Sequence, residues 1–254
     1  MSKEPVAIEV VDDHTATARL DEGFLRMRRL TLRNRYEDGS RSEPYACDVV
    51  SRKFVDAVAV VVHGRDKAGS VQVALKTGVR PPLWLREERL IPHDEPAPKL
   101  LAEVVAGVIE DVDDVPGGIE ERAAAECLEE AGYVVDGKDV VRLGAPLFPS
   151  PGVTDEKVHI RQVEVDLHDR SEPAGDGSVM EEAGGVIVLG LREAIRRCRS
   201  GEIPDMKTEV MLLRLCDALG YVPALDCFLS DLPQAISRAA QGLPPMLPDL
   251  LPEE

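Results

Sequence analysis

Residues 57–62 (AVAVVV) are six consecutive apolar side chains, and a second apolar stretch, VQVALKTG, follows after the polar residues 65–70. A strand with one wet face alternates apolar and polar residues, whereas a strand covered on both faces reads as a continuous apolar run. These two runs therefore predict central strands of a sheet enclosed between two layers. The layers are available. Residues 119–131, IEERAAAECLEEA, have helical character and end at Gly132, a suitable C′ residue, and LREAIRRCRSG and MKTEVMLLRLCDALG predict two further helices. Further strands are expected at AEVVAGVI, VVRLGAPLF, KVHIRQVEVDL and GVIVLGL. Strands alternating with helices place the chain in the α/β class.

The flanking regions differ from this core. IEVV, TATARL and FLRMRRLTLRNRY alternate as half-buried strands do, with hairpin-turn chemistry at Glu37-Asp38-Gly39-Ser40. Residues 1–52 are thus expected to form a small antiparallel β module and residues 53–220 the main domain, with 221–254 a proline-rich extension bearing one short helical pattern, LPQAISRAAQG. A polar, proline-bearing loop is expected over residues 81–98, and a Gly-, Asp- and Glu-rich loop over 171–185.

Charge narrows the function. The chain carries 47 acidic and 30 basic residues, a formal net charge of −17. Such a surface repels phosphate backbones and anionic lipid, which argues against nucleic-acid or membrane-surface partners. Aromatic content of 4%, with one tryptophan, leaves little for a base-stacking platform. The longest apolar run is far too short to span a bilayer, and the N-terminal residues carry acids where a signal peptide needs an apolar core. Five cysteines without CxxC spacing read as reduced thiols, so a cytoplasmic location is expected. The excess charge is concentrated: residues 103–130 hold ten acids against one base, Arg122.

Within that stretch, Glu126, Glu129 and Glu130 stand at i, i+3 and i+4, which puts three carboxylates on one helical face. Like charges this close are unfavourable unless a cation lies between them, and hard oxygen donors select magnesium, manganese or calcium. A solvated acidic helix face has the same spacing.

Surrounding residues add a resemblance. Residues 106–133, AGVIEDVDDVPGGIEERAAAECLEEAGY, resemble the Nudix box: a glycine, five residues, a glutamate, seven residues, then Arg-Glu-hydrophobic-x-Glu-Glu-x-Gly-hydrophobic. Glu126-Cys127-Leu128-Glu129-Glu130-Ala131-Gly132-Tyr133 matches its second half. Ala125 stands where the pattern has arginine, with Arg122 one turn earlier able to replace it in part. The loop after Gly107 is about four residues longer than the pattern, and no residue clearly supplies the upstream glutamate. Outside the box, SPGVTDE (150–156) resembles the SPG-x-[ST]-[DN]-E loop of ADP-ribose pyrophosphatase-type Nudix enzymes. LREAIRRCRSGEIPDMKTEVMLLRL is similar to the ending of that subfamily, and FVDAVAVVV with VQVALKTGVRPPL to its entry.

The resemblance implies a Nudix α/β/α sandwich with a mixed central sheet, preceded by the N-terminal β module. It implies Glu126 and Glu130 as Mg²⁺ ligands (Mn²⁺ substituting), Glu129 binding directly or through water and counted among the catalytic carboxylates, and the Ala106 carbonyl completing the site. A loop glutamate is expected to activate water: Glu182 first, then Glu181, with Glu156 in the SPG loop as the other source. Arg52, Arg80 and Gly152 are the expected substrate contacts. Trp84 either stacks on a base or packs. The implied activity is hydrolysis of a nucleoside diphosphate sugar, ADP-ribose to AMP and ribose 5-phosphate first, with GDP- or UDP-sugars next. A Nudix domain that binds a nucleotide sugar without turning it over is the reading that Ala125 motivates. A homodimer paired through the N-terminal module is expected by the same resemblance.

Overall fold

The computed structural model describes residues 23–86, 98–173, 175 and 184–242. The strands expected at IEVV and TATARL lie outside these residues. The described chain opens with strands β1 (Leu25–Leu32) and β2 (Tyr45–Arg52), paired antiparallel from Leu25↔Arg52 to Leu32↔Tyr45. The turn between them is the expected one, closed by Tyr36 N–H donating to the Ser40 carbonyl at 3.0 Å. Half-buried faces were expected here. Met27, Leu32, Cys47, Val49 and Val50 are half-buried as expected, whereas Phe24, Leu25 and Tyr45 are exposed, since neither core cluster among the described residues reaches this hairpin.

Next come β3 (Ala57–Arg65), β4 (Val71–Gly78) and a single helical turn α1 (Pro81–Trp84), which occupies the start of the expected polar loop. The strand expected as one piece at AEVVAGVI is two, β5 (Leu101–Glu103) and β6 (Val105–Val108). Helix α2 (Gly118–Ala131) follows and ends at Gly132, whose φ of 74° is the left-handed C′ conformation. Then come β7 (Val141–Arg142), β8 (Val158–Glu164), β9 (Gly185–Gly190), α3 (Leu191–Arg199) and α4 (Met206–Leu219). A two-stranded ladder, β10 (Tyr221–Val222) with β11 (Cys227–Phe228), and α5 (Gln234–Ala240) complete the described chain. The long strand expected at VVRLGAPLF shrinks to β7 and a lone Leu147↔Val158 bridge. Pro146 has no N–H to donate, and the Ala145 carbonyl accepts instead from Arg214 at 2.6 Å.

β3 is the axis of a seven-stranded mixed sheet, parallel to β8 and antiparallel to β4 and β6. β3 and β4 leave their hairpin paired and then diverge. β6 fills the gap against the first half of β3, and β5 fills it against the last part of β4. Side chains alternate across β3. Ala57, Ala59 and Val61 join Val73 and Leu75 against Ala194 and Ile195 of α3 and Met211, Leu212 and Leu215 of α4. Val58, Val60 and Val62 face Ala123, Cys127 and Ala131 of α2. The architecture is α/β with helices on both faces of a mixed sheet, as the unbroken apolar runs required and as an α/β/α sandwich needs. No helix among the described residues is long and apolar enough to cross a membrane, and all five cysteines are free.

Val104 separates β5 from β6, and its N–H leaves the ladder to donate to the Thr208 hydroxyl of α4 at 2.9 Å. That hydroxyl donates onward to Asp205, the α4 N-cap, at 2.6 Å. Thr208→Val keeps the volume but strands a buried N–H, so the fold should lose about 1–3 kcal/mol. Urea unfolding would register this as a lower midpoint at unchanged slope.

Candidate active site

The wedge between β3 and β4 faces α2, and together they enclose a cleft of about 450 Å³. Its floor is the edge of β4 and the β5–β6 segment: Lys76, Thr77, Arg80, Glu103, Ala106 and Gly107. Its wall is one side of α2: Arg122, Glu126, Glu129 and Glu130. Small buried residues on the sheet-facing side, Ala123, Ala124, Cys127 and Ala131, let the helix approach closely and leave the acids at the cleft. Gly107 is required for that approach, since a Cβ there would lie 1.7 Å from the Glu126 carboxylate oxygen. Burial pushes the Cys127 thiol up to about 12, so it packs and does not supply a thiolate.

The structure therefore brings together Ala106, Glu126, Glu129, Glu130 and Arg80 of the expected site residues. Glu126 is buried. Glu130 accepts from the Ala106 N–H at 2.9 Å and from Lys76 Nζ. In a strand a residue's N–H and C=O point to the same edge, so the Ala106 carbonyl is turned to the edge that meets Glu130. Arg52, Glu156 and Gly152 do not line this cleft. Arg52 donates to Glu156 at 3.0 Å, and its guanidinium stacks on the Phe24 ring. Nothing approaches a Cβ position at Gly152 within 4 Å. Glu181 and Glu182 lie outside the described residues. Gly175 and Gly185, which flank the segment holding them, line the cleft. Gly175 N–H donates to the Glu129 carbonyl at 2.8 Å, and Gly185 N–H donates to Thr77 Oγ1 at 2.9 Å. Trp84 donates its indole N–H to the Lys99 carbonyl at 2.8 Å and carries the Lys99 ammonium over its ring.

Four cleft-side residues carry roles that sequence reasoning missed. Glu103, 3% exposed, accepts from Arg80 Nε at 2.8 Å and NH2 on one oxygen and from Lys207 at 2.9 Å on the other. Burial opposes the charge on Lys207, but Glu103 and Asp205 outweigh it and hold its pKa above the ordinary lysine value. Lys76 is seated on Glu130. Asp113 accepts from Arg122 Nε at 3.0 Å and from the Glu110 N–H at 2.8 Å. The extra loop residues thus fold into a 3₁₀ turn, Asp111–Asp113, that clamps the guanidinium one turn before Glu126. Asp113 and then Glu126 and Glu110 hold the Arg122 pKa above its usual value against the opposing effect of burial. The signal was available in the spacing: Asp113 lies six residues after Gly107, where the box pattern has its upstream glutamate.

No protein-family model matches the chain. It is 34% identical over 116 residues to a GDP-mannose pyrophosphatase of Cronobacter sakazakii, covering 46% of this chain and 56% of that protein. The GDP-mannose pyrophosphatase of Salmonella typhimurium is 34% identical over 113 residues, covering 44% and 54%. A tryptophan synthase alpha chain of Chlorobium phaeobacteroides is 34% identical over 135 residues, 47% of each chain. The chain spans about half the length of the curated relatives it matches.

The clamp on Arg122 is testable by a double-mutant cycle. Asp113→Asn and Arg122→Met should each lower stability, with a coupling energy of about 1 kcal/mol between them by urea unfolding. Additive losses would mean that the pair contributes nothing jointly.

Proposed function

We propose that this chain is a Nudix-type hydrolase that cleaves the diphosphate bond of a nucleoside diphosphate sugar with the help of a divalent cation. The observation that carries this reading is the meeting, in one cleft, of Glu126, Glu129 and Glu130 with the Ala106 strand edge and with the cations Lys76, Arg80 and Arg122. The similarity to GDP-mannose pyrophosphatases supports the same class of substrate. Tryptophan is built on an apolar indole ring, for which a cleft lined by charged groups is a poor host, so the tryptophan synthase similarity is not carried over.

The donor chemistry fits a hard cation such as Mg²⁺ or Mn²⁺: carboxylate oxygens and a backbone carbonyl, with no thiolate or imidazole among the described lining residues. Among the described residues no three acidic, His or Cys side chains converge into a ready-made cage, and Glu130 already holds Lys76. The residues assigned to the cation are Glu126, Glu129, Glu130 and the Ala106 carbonyl. When bound, Mg²⁺ would neutralise diphosphate charge and lower the pKa of a coordinated water. The protein's own part is positioning: Arg80, fixed by Glu103, presents a planar donor fork at the cleft, suited to a phosphate oxygen pair. Water adds to one phosphorus, the bridging oxygen leaves with the other, and the water's proton passes to a base. We assign that base to Glu182, with Glu181 next. Glu156 ranks third because Arg52 engages it. The SPG-loop group of Arg52 and Gly152 is assigned to the substrate's outer part. We place ADP-ribose first as substrate, and GDP-mannose is the second reading, favoured by the relatives' name. Exposed Phe24, Leu25 and Tyr45 support a homodimer through the β1–β2 hairpin.

Purified protein with Mg²⁺ should release AMP from ADP-ribose or GMP from GDP-mannose, measured by chromatography of the nucleoside monophosphate. Glu126→Gln and Glu130→Gln should each lower kcat/KM by about 100-fold or more, and Glu182→Gln by about 10²–10⁴-fold. Binding of a nucleotide sugar with no monophosphate formed would replace the enzyme by a sensor, and unchanged turnover in Glu130→Gln would remove the cation assignment.

A further inference from the structure

Among the described residues five acids line the cleft, Glu103, Glu110, Glu126, Glu129 and Glu130, against the three bases Lys76, Arg80 and Arg122. The bases are not equivalent. Arg80 is committed to Glu103, which also takes Lys207, and Arg122 is committed to Asp113. Neither of those carboxylates is assigned to the cation. Lys76 is different, because the acid it meets is Glu130.

The placement follows from the sheet. Alternation along β4 puts Lys76 on the same face as Ala74, which packs in the α2-side core, so its side chain rises toward α2. Both groups are withdrawn from water, with side-chain exposures of 12% for Lys76 and 7% for Glu130. Both Glu130 oxygens are used: Oε1 by Lys76 Nζ and Oε2 by the Ala106 N–H. A cation that is to use Glu130 has to compete for an oxygen that already holds a positive charge.

We propose that Lys76 is a built-in counter-ion for Glu130 that a divalent cation must displace, so that cation binding in this cleft is an exchange of charges. Lysine suits the task. Its ammonium is a compact charge on a flexible four-carbon stem, able to leave one carboxylate and remain in the same cleft, where an arginine fork would hold on in two places. With the cation bound, the released ammonium is a donor for the anionic ligand, so cation and ligand binding become linked through one side chain. The proposal rests on the function proposed above, and its test is separable from it because it reads cation binding and not turnover.

Mn²⁺ binding to the whole chain, without substrate, is to be measured by electron paramagnetic resonance of the free ion. Lys76→Met removes the competing charge and should bind Mn²⁺ about ten-fold or more tightly than the parent, while Lys76→Arg should stay near the parent or weaker. Equal affinity in the parent and Lys76→Met overturns the exchange while leaving the hydrolase reading standing. Absence of binding in both overturns the cation assignment, and this proposal with it. Should Lys76→Met not fold, the parent supplies the answer through amine acylation followed by mass spectrometry. Lys76 labelling should rise severalfold when Mn²⁺ is added, whereas labelling unchanged by bound Mn²⁺ overturns the proposal.

Discussion

A carboxylate taken out of water has to be compensated, and of the ten acids in residues 103–130 five line one cleft. Among the ten, Glu103, Asp113, Glu120 and Glu130 are paired with a cation. Glu103 takes Arg80 from the end of β4 and Lys207 from α4, Glu130 takes Lys76 from β4, and Glu120 takes Arg161 from β8. Asp113 takes Arg122 from within the stretch itself. Most of these pairs cross between elements, so the electrostatic requirement also ties the sheet, α2 and α4 to one another. Removing one partner would leave a charge in a poor solvent for it, which costs more than the pair gains.

The apolar side of the fold is simpler and was legible. Residues 57–62 are unbroken because both faces of β3 are covered, by α3 and α4 on one side and α2 on the other. Helix α2 ended where Gly132 said it would, and the spacing of Glu126, Glu129 and Glu130 placed them along one wall. What escaped were features set by partners distant in sequence. Whether residues 101–108 form one strand or two depends on β3 and β4 diverging and on Thr208, 104 positions away from Val104, offering its hydroxyl. Alternation over residues 24–36 signalled strands correctly, but it cannot say whether a second layer exists to bury them. Lys76, Glu103 and Lys207 carry no local motif. Their meaning comes from register, which sets Lys76 opposite Glu103, and from the α4 start beside them.

Asp113 sits between these cases. Its spacing from Gly107 fitted the box pattern, but the longer loop and Ala125 obscured it. In the fold, the longer loop and Arg122 meet. The inserted residues coil into a short turn, the turn presents Asp113, and the guanidinium it meets comes from Arg122, a turn earlier on the helix than the pattern's arginine.

The same accounting says what kind of ligand the cleft can accept. Among the described residues its lining holds five acids against three bases, a formal excess of two negative charges. A diphosphate brought in alone would add to that excess in a partly dehydrated space, where like charges repel far more strongly than in bulk water. A neutral ligand would leave the three cations with nothing to do beyond their present pairs. On the cation assignment proposed above, a divalent cation would offset that excess and would compete with Lys76 for Glu130, while Arg80 and Arg122 would stay held by Glu103 and Asp113. On that proposal the cation would have to bind before the anion, and the acidity that repels a phosphate backbone elsewhere would, at this one place, be the condition for binding a diphosphate.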